Sequence, residues 1–170
     1  LRNPYQLAIE TGREPDEHEP NDAINTATPL APNVAKSGYL ACDGDADWYT
    51  LEIPGRYIVT IELTMGLTAV QPRLQMLNSD GELVQQMENR GASREPTELI
   101  KTVSVTAAGQ YLFKITDASG NRADPSVPYE VKFSLTEDAD VNEPNDESAD
   151  ATAIAGLNCE DDWSGWQEFE

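Results

Sequence analysis

Four segments of the chain alternate apolar and polar residues, and this period of two constrains the fold more than any other feature. The alternation covers residues 48–53, 57–63, 111–115 and 129–135. It predicts half-buried antiparallel strands with one apolar face each. Weaker strand patterns lie at residues 35–40, 73–77, 82–87 and 98–105. No long stretch has a helical period. The sequence therefore predicts an all-β, antiparallel β-sandwich of jelly-roll type with about eight strands.

A repeated motif predicts the domain organisation. Glu-Pro-Asn-Asp occurs at residues 19–22 and again at 143–146, and each copy is followed at the same distance by Ala-Thr, so matched positions are 124 residues apart. We interpret residues 1–16 as a leader or linker and residues 17–136 as the sandwich domain. Its first part, residues 17–33, is expected to form an ordered loop with one helical turn near residues 22–28. Residues 137–170 are expected to be an acidic linker and the start of a truncated second repeat.

The charge distribution argues against some classes of partner. The formal net charge is −20, and residues 133–170 hold twelve acidic residues and no Lys or Arg. Nucleic acid is not expected as a partner because phosphate binding needs clustered basic residues. No apolar run reaches the length of a membrane span, so membrane insertion is not expected either.

Residues for conventional catalysis are scarce. The single histidine, His18, lies in the acidic segment and is followed by Pro20, which excludes a zinc-protease helix. Cys42 is a poor candidate nucleophile, because the acidic residues that follow it would raise its pKa and suppress the thiolate. We expect no enzymatic activity within this chain.

Oxygen-bearing side chains that suit a hard cation are abundant in two short segments. They are Glu17, Glu19, Asn21 and Asp22 in the first, and Asp43, Asp45 and Asp47 in the second. Calcium takes six to eight oxygen ligands, and in an extended segment the three alternating aspartates would point to one side. An EF-hand is excluded, because Trp48 occupies the sixth loop position and Pro54 the twelfth. The alternative is that the aspartates form an ordinary acidic surface loop.

Two further features leave alternatives open. Cys42 and Cys159 fit one disulfide in an oxidising compartment, and they also fit two unrelated buried thiols. Trp48 falls on the strand face opposite Tyr49, so it is either an exposed binding surface or covered by the linker or the tail.

The order of several motifs resembles the bacterial pre-peptidase C-terminal domain family, which includes the collagen-binding modules of clostridial collagenases. The resemblance covers roughly residues 17–136. The motifs are Glu-x-Glu-Pro-Asn-Asp at 17–22, Ala-x-x-Leu at 27–30, Asp-x-Asp-Trp-Tyr-x-Leu at 45–51, Ala-Gly-x-Tyr at 108–111 and Pro-Tyr-x-Val at 128–131. The resemblance implies a non-catalytic β-sandwich appended to a secreted or cell-envelope protein.

The resemblance also implies calcium bound between the linker and the loop before the Asp-Trp-Tyr strand. Glu17, Glu19, Asn21 and Asp22 match the linker ligands and Asp47 matches the loop aspartate nearest the strand. Either Asp43 or Asp45 matches the other loop aspartate, and a backbone carbonyl near residues 38–40 would complete the shell. The second repeat has Val141 at the position of Glu17, which puts a second site in doubt.

Three functions remain open at this point. The first is a secreted, periplasmic or cell-surface accessory module that binds calcium and serves adhesion, substrate targeting or stabilisation of neighbouring domains. The second is a carbohydrate- or protein-binding sandwich whose acidic residues hold no functional metal. The third is a non-catalytic fragment of a larger exported hydrolase.

Overall fold

The computed structural model describes residues 15–89 and 95–139, together with Ala8. This part of the chain folds into nine strands and one short 3₁₀ helix, Ile24–Thr26. The strands are β1 Thr28–Pro29, β2 Lys36–Gly38, β3 Ala46–Ile53, β4 Tyr57–Met65, β5 Pro72–Leu77, β6 Leu83–Glu88, β7 Thr97–Val105, β8 Gly109–Asp117 and β9 Tyr129–Glu137.

The strands form two sheets with jelly-roll connectivity. One sheet has the order β1-β3-β8-β5-β6 and the other has the order β2-β9-β4-β7. Apart from β1, this is the interleaved arrangement of an eight-stranded jelly roll, with four strands in each sheet. The prediction of an all-β sandwich of this type is confirmed.

The core lies between the two sheets and follows the alternation in the sequence. Along β3 the side chains of Tyr49, Leu51 and Ile53 are buried, whereas Trp48, Thr50 and Glu52 face outwards and are less buried. Phe113 of β8 and Phe133 of β9 join the sheets, with their ring centroids 4.2 Å apart. One apolar face per strand is therefore enough to build the whole core.

One departure from the antiparallel prediction lies in the first segment. The expected helical turn is present as the 3₁₀ helix, but residues 28 and 29 then form β1, which pairs with β3 in parallel. The backbone N–H of Leu30 extends this pairing by donating to the carbonyl of Thr50 at 2.7 Å. A two-residue strand has no alternation to detect, and proline is depleted in strands, so no pattern in the sequence predicts β1.

The same segment lies along β3 and brings the acidic linker to the sandwich. The backbone N–H of Trp48 donates to the carbonyl of Asn21 at 2.9 Å. Together with β1, this bond fixes residues 21–30 against β3 at two places. The linker is thus part of the domain in this structure.

Parts of the predicted organisation lie outside the described residues. These parts include most of the 1–16 leader and nearly all of the 137–170 segment with its second repeat, so both stay predictions. Within the described residues, no helix has the length and hydrophobicity needed to cross a membrane.

We expect Phe133→Ala to destabilise the fold by about 3–5 kcal/mol, because it deletes a fully buried ring from the contact between the sheets. Ile100→Ala is the matched control, since Ile100 is 60% exposed and its loss should change stability by less than about 0.5 kcal/mol. Urea unfolding would measure both, and equal effects would contradict the assignment of the core.

Candidate metal centre

Three carboxylates meet where the linker passes the loop before β3. Glu19 and Asp22 come from the linker and Asp45 from the loop, and one oxygen of each lies within 4.8 Å of the others. Calcium binds oxygen at 2.3–2.6 Å, so two ligands of one ion are at most about 5 Å apart. The three carboxylates are therefore spaced to hold a single calcium ion.

Two fully buried polar side chains next to this group lack partners. Asn21 and Asp47 are both 0% exposed. Several side-chain atoms here have no hydrogen-bond partner among the described residues: the amide O and N of Asn21, both carboxylate oxygens of Asp47, and Oδ1 of Asp45. Leaving a buried polar atom unsatisfied costs about 1–3 kcal/mol, and more for a charged group. Asp47 lies within electrostatic range of Asp45 and Glu19, and the backbone of Asn21 bonds the Glu19 carboxylate, so these unpartnered oxygens border the grouped carboxylates and would suit a ligand that accepts lone pairs.

The pKa values of the clustered carboxyl groups also indicate that the site suits a cation. The pKa of Asp47 is raised to about 8, chiefly by burial and in smaller part by the nearby carboxylates of Asp45, Asp16 and Glu19. The Tyr129 hydroxyl is close enough to oppose the shift, but it bonds the Tyr49 hydroxyl and makes no hydrogen bond of good geometry to the carboxylate. Burial also raises the pKa of Asp45 and of Glu19. Negative charge is therefore costly here unless a cation neutralises it.

Local hydrogen bonds orient the carboxylates. The backbone N–H of Ala41 donates to Oδ2 of Asp45 at 2.6 Å, which leaves Oδ1 of the same carboxylate for another partner. Gly44 turns the loop at a φ of 83°, a conformation that glycine adopts without strain. In the linker, the backbone N–H of Asn21 donates to Oε2 of Glu19 at 2.9 Å.

The structure brings five of the seven predicted ligands into or beside the cluster. They are Glu19, Asn21, Asp22, Asp45 and Asp47.

The other two predicted ligands lie outside the cluster. The side chain of Glu17 is 84% exposed, and its Oε1 lies 3.9 Å from Nε2 of His18. Asp43 is exposed in the turn with Gly44. Because this turn interrupts the extended backbone, Asp43 does not share a side with Asp45 and Asp47. The carbonyl of Leu40, within the segment expected to complete the shell, accepts from the backbone N–H of Asp124 at 2.8 Å.

One acidic residue that the ligand prediction left out lies close to the cluster. Asp16 is only 6% exposed. Its charge raises the pKa of both Glu19 and Asp47, which places it within electrostatic range of the cluster. A sequence signal was present, because Asp140 stands 124 residues later, at the offset of the repeat.

The two remaining predicted features have separate outcomes. Cys42 is exposed in the loop before β3, and its predicted partner Cys159 lies outside the described residues, so the disulfide stays a prediction. Trp48 lies on the outer sheet face as predicted and is half-buried. The ammonium of Lys114 lies 5.2 Å from the centre of its ring, in cation–π range.

Comparisons with known proteins found similar folds at low sequence identity. No family model and no curated protein matches the chain. A pre-peptidase C-terminal domain of Bacillus anthracis collagenase shares 13% identity over 63% of this chain and 93% of that one, with a TM-score of 0.49. Aeromonas hydrophila PliG, a periplasmic inhibitor of g-type lysozyme, shares 17% identity over 65% of this chain and 96% of that one, with a TM-score of 0.45.

A carbohydrate-binding module of Cellvibrio mixtus lichenase 5A, in complex with cellotriose, is similar at 18% identity. The match covers 59% of this chain and 78% of the module, with a TM-score of 0.39. At these identities and scores, none of the three proteins assigns this chain to a family or identifies its ligand.

The raised pKa of Asp47 predicts how stability depends on pH when EDTA removes divalent cations. Between about pH 4 and pH 8 the folded state keeps a proton that the unfolded chain has lost, so the folded state binds more protons. The melting temperature should therefore fall as the pH rises from 5 to 8. Asp45 and Glu19 act in the same direction, because their pKa values are also raised.

Scanning fluorimetry in EDTA across this range would check the slope, with Asp47→Asn as the control. The control should show a flatter dependence, since the amide has no proton to lose. A wild-type melting temperature that rises between pH 5 and pH 8 would contradict the buried, uncompensated state of Asp47.

Proposed function

We propose that this chain is a non-catalytic accessory module whose β-sandwich binds calcium between its N-terminal linker and the loop before β3. The observation that carries the proposal is the buried, unpartnered Asp47 carboxylate beside the group formed by Glu19, Asp22 and Asp45. An acidic cluster alone is common on protein surfaces. Carboxylate oxygens that are fully buried without a partner are rare, and a cation would satisfy them.

The donor set favours calcium over other divalent ions. Every candidate ligand is a carboxylate or amide oxygen, whereas zinc sites use mainly Cys and His. The one histidine nearby, His18, packs edge-on against the Tyr49 ring at 6.4 Å, and its imidazole is not in the group. Magnesium demands a near-ideal octahedron and keeps several waters, which suits a partly buried cluster of protein oxygens poorly.

The proposed mechanism is mechanical. A cation that binds linker and loop oxygens together would hold residues 16–22 against β3 and so fix the direction in which the chain enters the domain. This orientation would serve adhesion, substrate targeting or stabilisation of neighbouring domains in a secreted, periplasmic or cell-surface protein. The motif order of the pre-peptidase C-terminal domain family supports the same interpretation. We propose an extracellular protein or polysaccharide as the partner, and neither nucleic acid nor membrane insertion.

A second candidate function is binding of a carbohydrate or a protein without a functional metal. The observation that favours it is a polar row across the outer face of the five-stranded sheet, where Trp48, Lys114, Gln75 and Gln86 lie side by side on four adjacent strands. Screening the chain against glycans and collagen, with and without EDTA, would separate the two candidates. Binding that is unchanged in EDTA would favour the second.

We expect Asp22→Ala to remove most of the stabilisation by calcium, because it deletes one of the three grouped carboxylates. At a free calcium concentration one hundred times the Kd, binding to the folded state adds about 2.7 kcal/mol to stability. The loss should therefore appear as a shift of several degrees in the melting temperature in calcium, with little change in EDTA.

Asp43→Ala is the matched control, since it removes the same charge from an exposed position in the neighbouring turn. Its response to calcium should resemble that of the wild type. If Asp22→Ala retains the full response, or if both variants lose it equally, the proposed ligand set is wrong.

A further inference from the structure

Asp16 fastens the linker to the body of the sandwich. Its Oδ1 accepts a hydrogen bond from the backbone N–H of His18 at 2.8 Å, and its Oδ2 accepts one from the backbone N–H of Tyr39, also at 2.8 Å. The first bond shapes the linker and the second crosses to the segment that follows β2. One carboxylate thus ties two separate parts of the chain together, a few residues before the metal-binding segment.

The space for this carboxylate depends on Gly38. A Cβ atom at Gly38 would lie 2.9 Å from Oδ2 of Asp16 and 2.3 Å from the Tyr129 hydroxyl. Tyr129 in turn bonds the Tyr49 hydroxyl at 2.6 Å inside the core. Asp16 therefore packs against the core next to the buried hydrogen bond that joins the two sheets. This contact fixes the position of the linker at Asp16.

The repeat in the sequence supports a role for Asp16 rather than Glu17. At the offset of 124 residues, Asp16 corresponds to Asp140 and Glu17 to Val141. The position of Asp16 is therefore acidic in both copies, whereas that of Glu17 is not. This agrees with the structure, in which Asp16 is buried and Glu17 is solvent-exposed.

We propose that Asp16 is the positioning residue of the metal centre: it binds no cation itself, but it holds the linker so that Glu19, Asn21 and Asp22 reach Asp45 and Asp47. Both of its oxygens already accept backbone hydrogen bonds, so its contribution is geometric. Glu17, by contrast, adds negative charge near the site, but its exposed side chain does not hold the linker in place. The inference rests on the proposed calcium binding.

The test is calorimetric titration of calcium into metal-depleted wild-type chain and three variants, Asp16→Asn, Asp16→Glu and Glu17→Gln. Asp16→Asn keeps the size of the side chain but replaces one acceptor oxygen with an NH₂ group, which cannot accept the hydrogen bond from a backbone N–H. We therefore expect the Kd for calcium to rise at least tenfold. Asp16→Glu keeps the charge but displaces it by one methylene, and affinity should stay well below that of the wild type. Glu17→Gln loses the same charge and should change the Kd by less than threefold.

Each outcome decides the proposal. If Asp16→Asn and Glu17→Gln weaken binding equally, or if Asp16→Glu restores it, Asp16 acts through charge and the proposal is overturned. If the Asp16 variants lower the melting temperature by the same amount in EDTA and in calcium, the role is merely structural and the proposal is also overturned. A wild-type chain that takes up no calcium would overturn the proposed function first and this inference with it.

Discussion

The docking of the acidic linker onto β3 is the interaction on which the candidate site depends. It buries the Asn21 amide and the Asp47 carboxylate completely, without giving their oxygens partners among the described residues. Folding would not ordinarily retain such groups, because burial of a charged oxygen costs far more than a backbone hydrogen bond returns. A bound cation would resolve the conflict, since it would compensate several carboxylates at once.

The rest of the fold supports this junction from two directions. The parallel pairing of β1 with β3 holds the linker beyond the 3₁₀ helix, and Asp16 holds it before Glu19, Asn21 and Asp22. Beneath the site, the hydroxyls of Tyr49 and Tyr129 form a buried bond between the two sheets. The cluster is thus built on strands and fixed linker contacts rather than on a single flexible loop, and such support limits the geometries its ligands can adopt.

Much of the architecture was predictable because the strands of a sandwich bury one face each. The alternation of Tyr49, Leu51 and Ile53 with less apolar neighbours predicts both β3 and its inward-facing side from the sequence alone. The parallel strand β1 was not predictable, because two residues, one of them proline, have no period. The alternation predicts the jelly-roll type but not which strands are neighbours within each sheet, because strand pairing depends on contacts between residues far apart in the sequence.

The candidate site was predictable in composition more than in geometry. Spacing identified the acidic segments, but the positive φ of Gly44 breaks the extended backbone and separates Asp43 from Asp45. Glu17 fits the family motif and still faces solvent, because the linker turns at Asp16 and His18. Asp16 was missed because its role comes from backbone hydrogen bonds, and its only signal in the sequence is the acidic residue at the repeat offset, Asp140.

The most direct test of calcium binding by the linker and loop carboxylates is a titration of the metal-depleted wild-type chain with calcium by isothermal calorimetry, with magnesium in a parallel titration. We expect saturable binding of calcium and much weaker binding of magnesium, because the cluster offers many protein oxygens, which calcium takes as ligands, whereas magnesium needs a near-ideal octahedron and keeps several waters. Absence of calcium binding at millimolar concentration, or equal affinity for the two ions, would contradict this expectation.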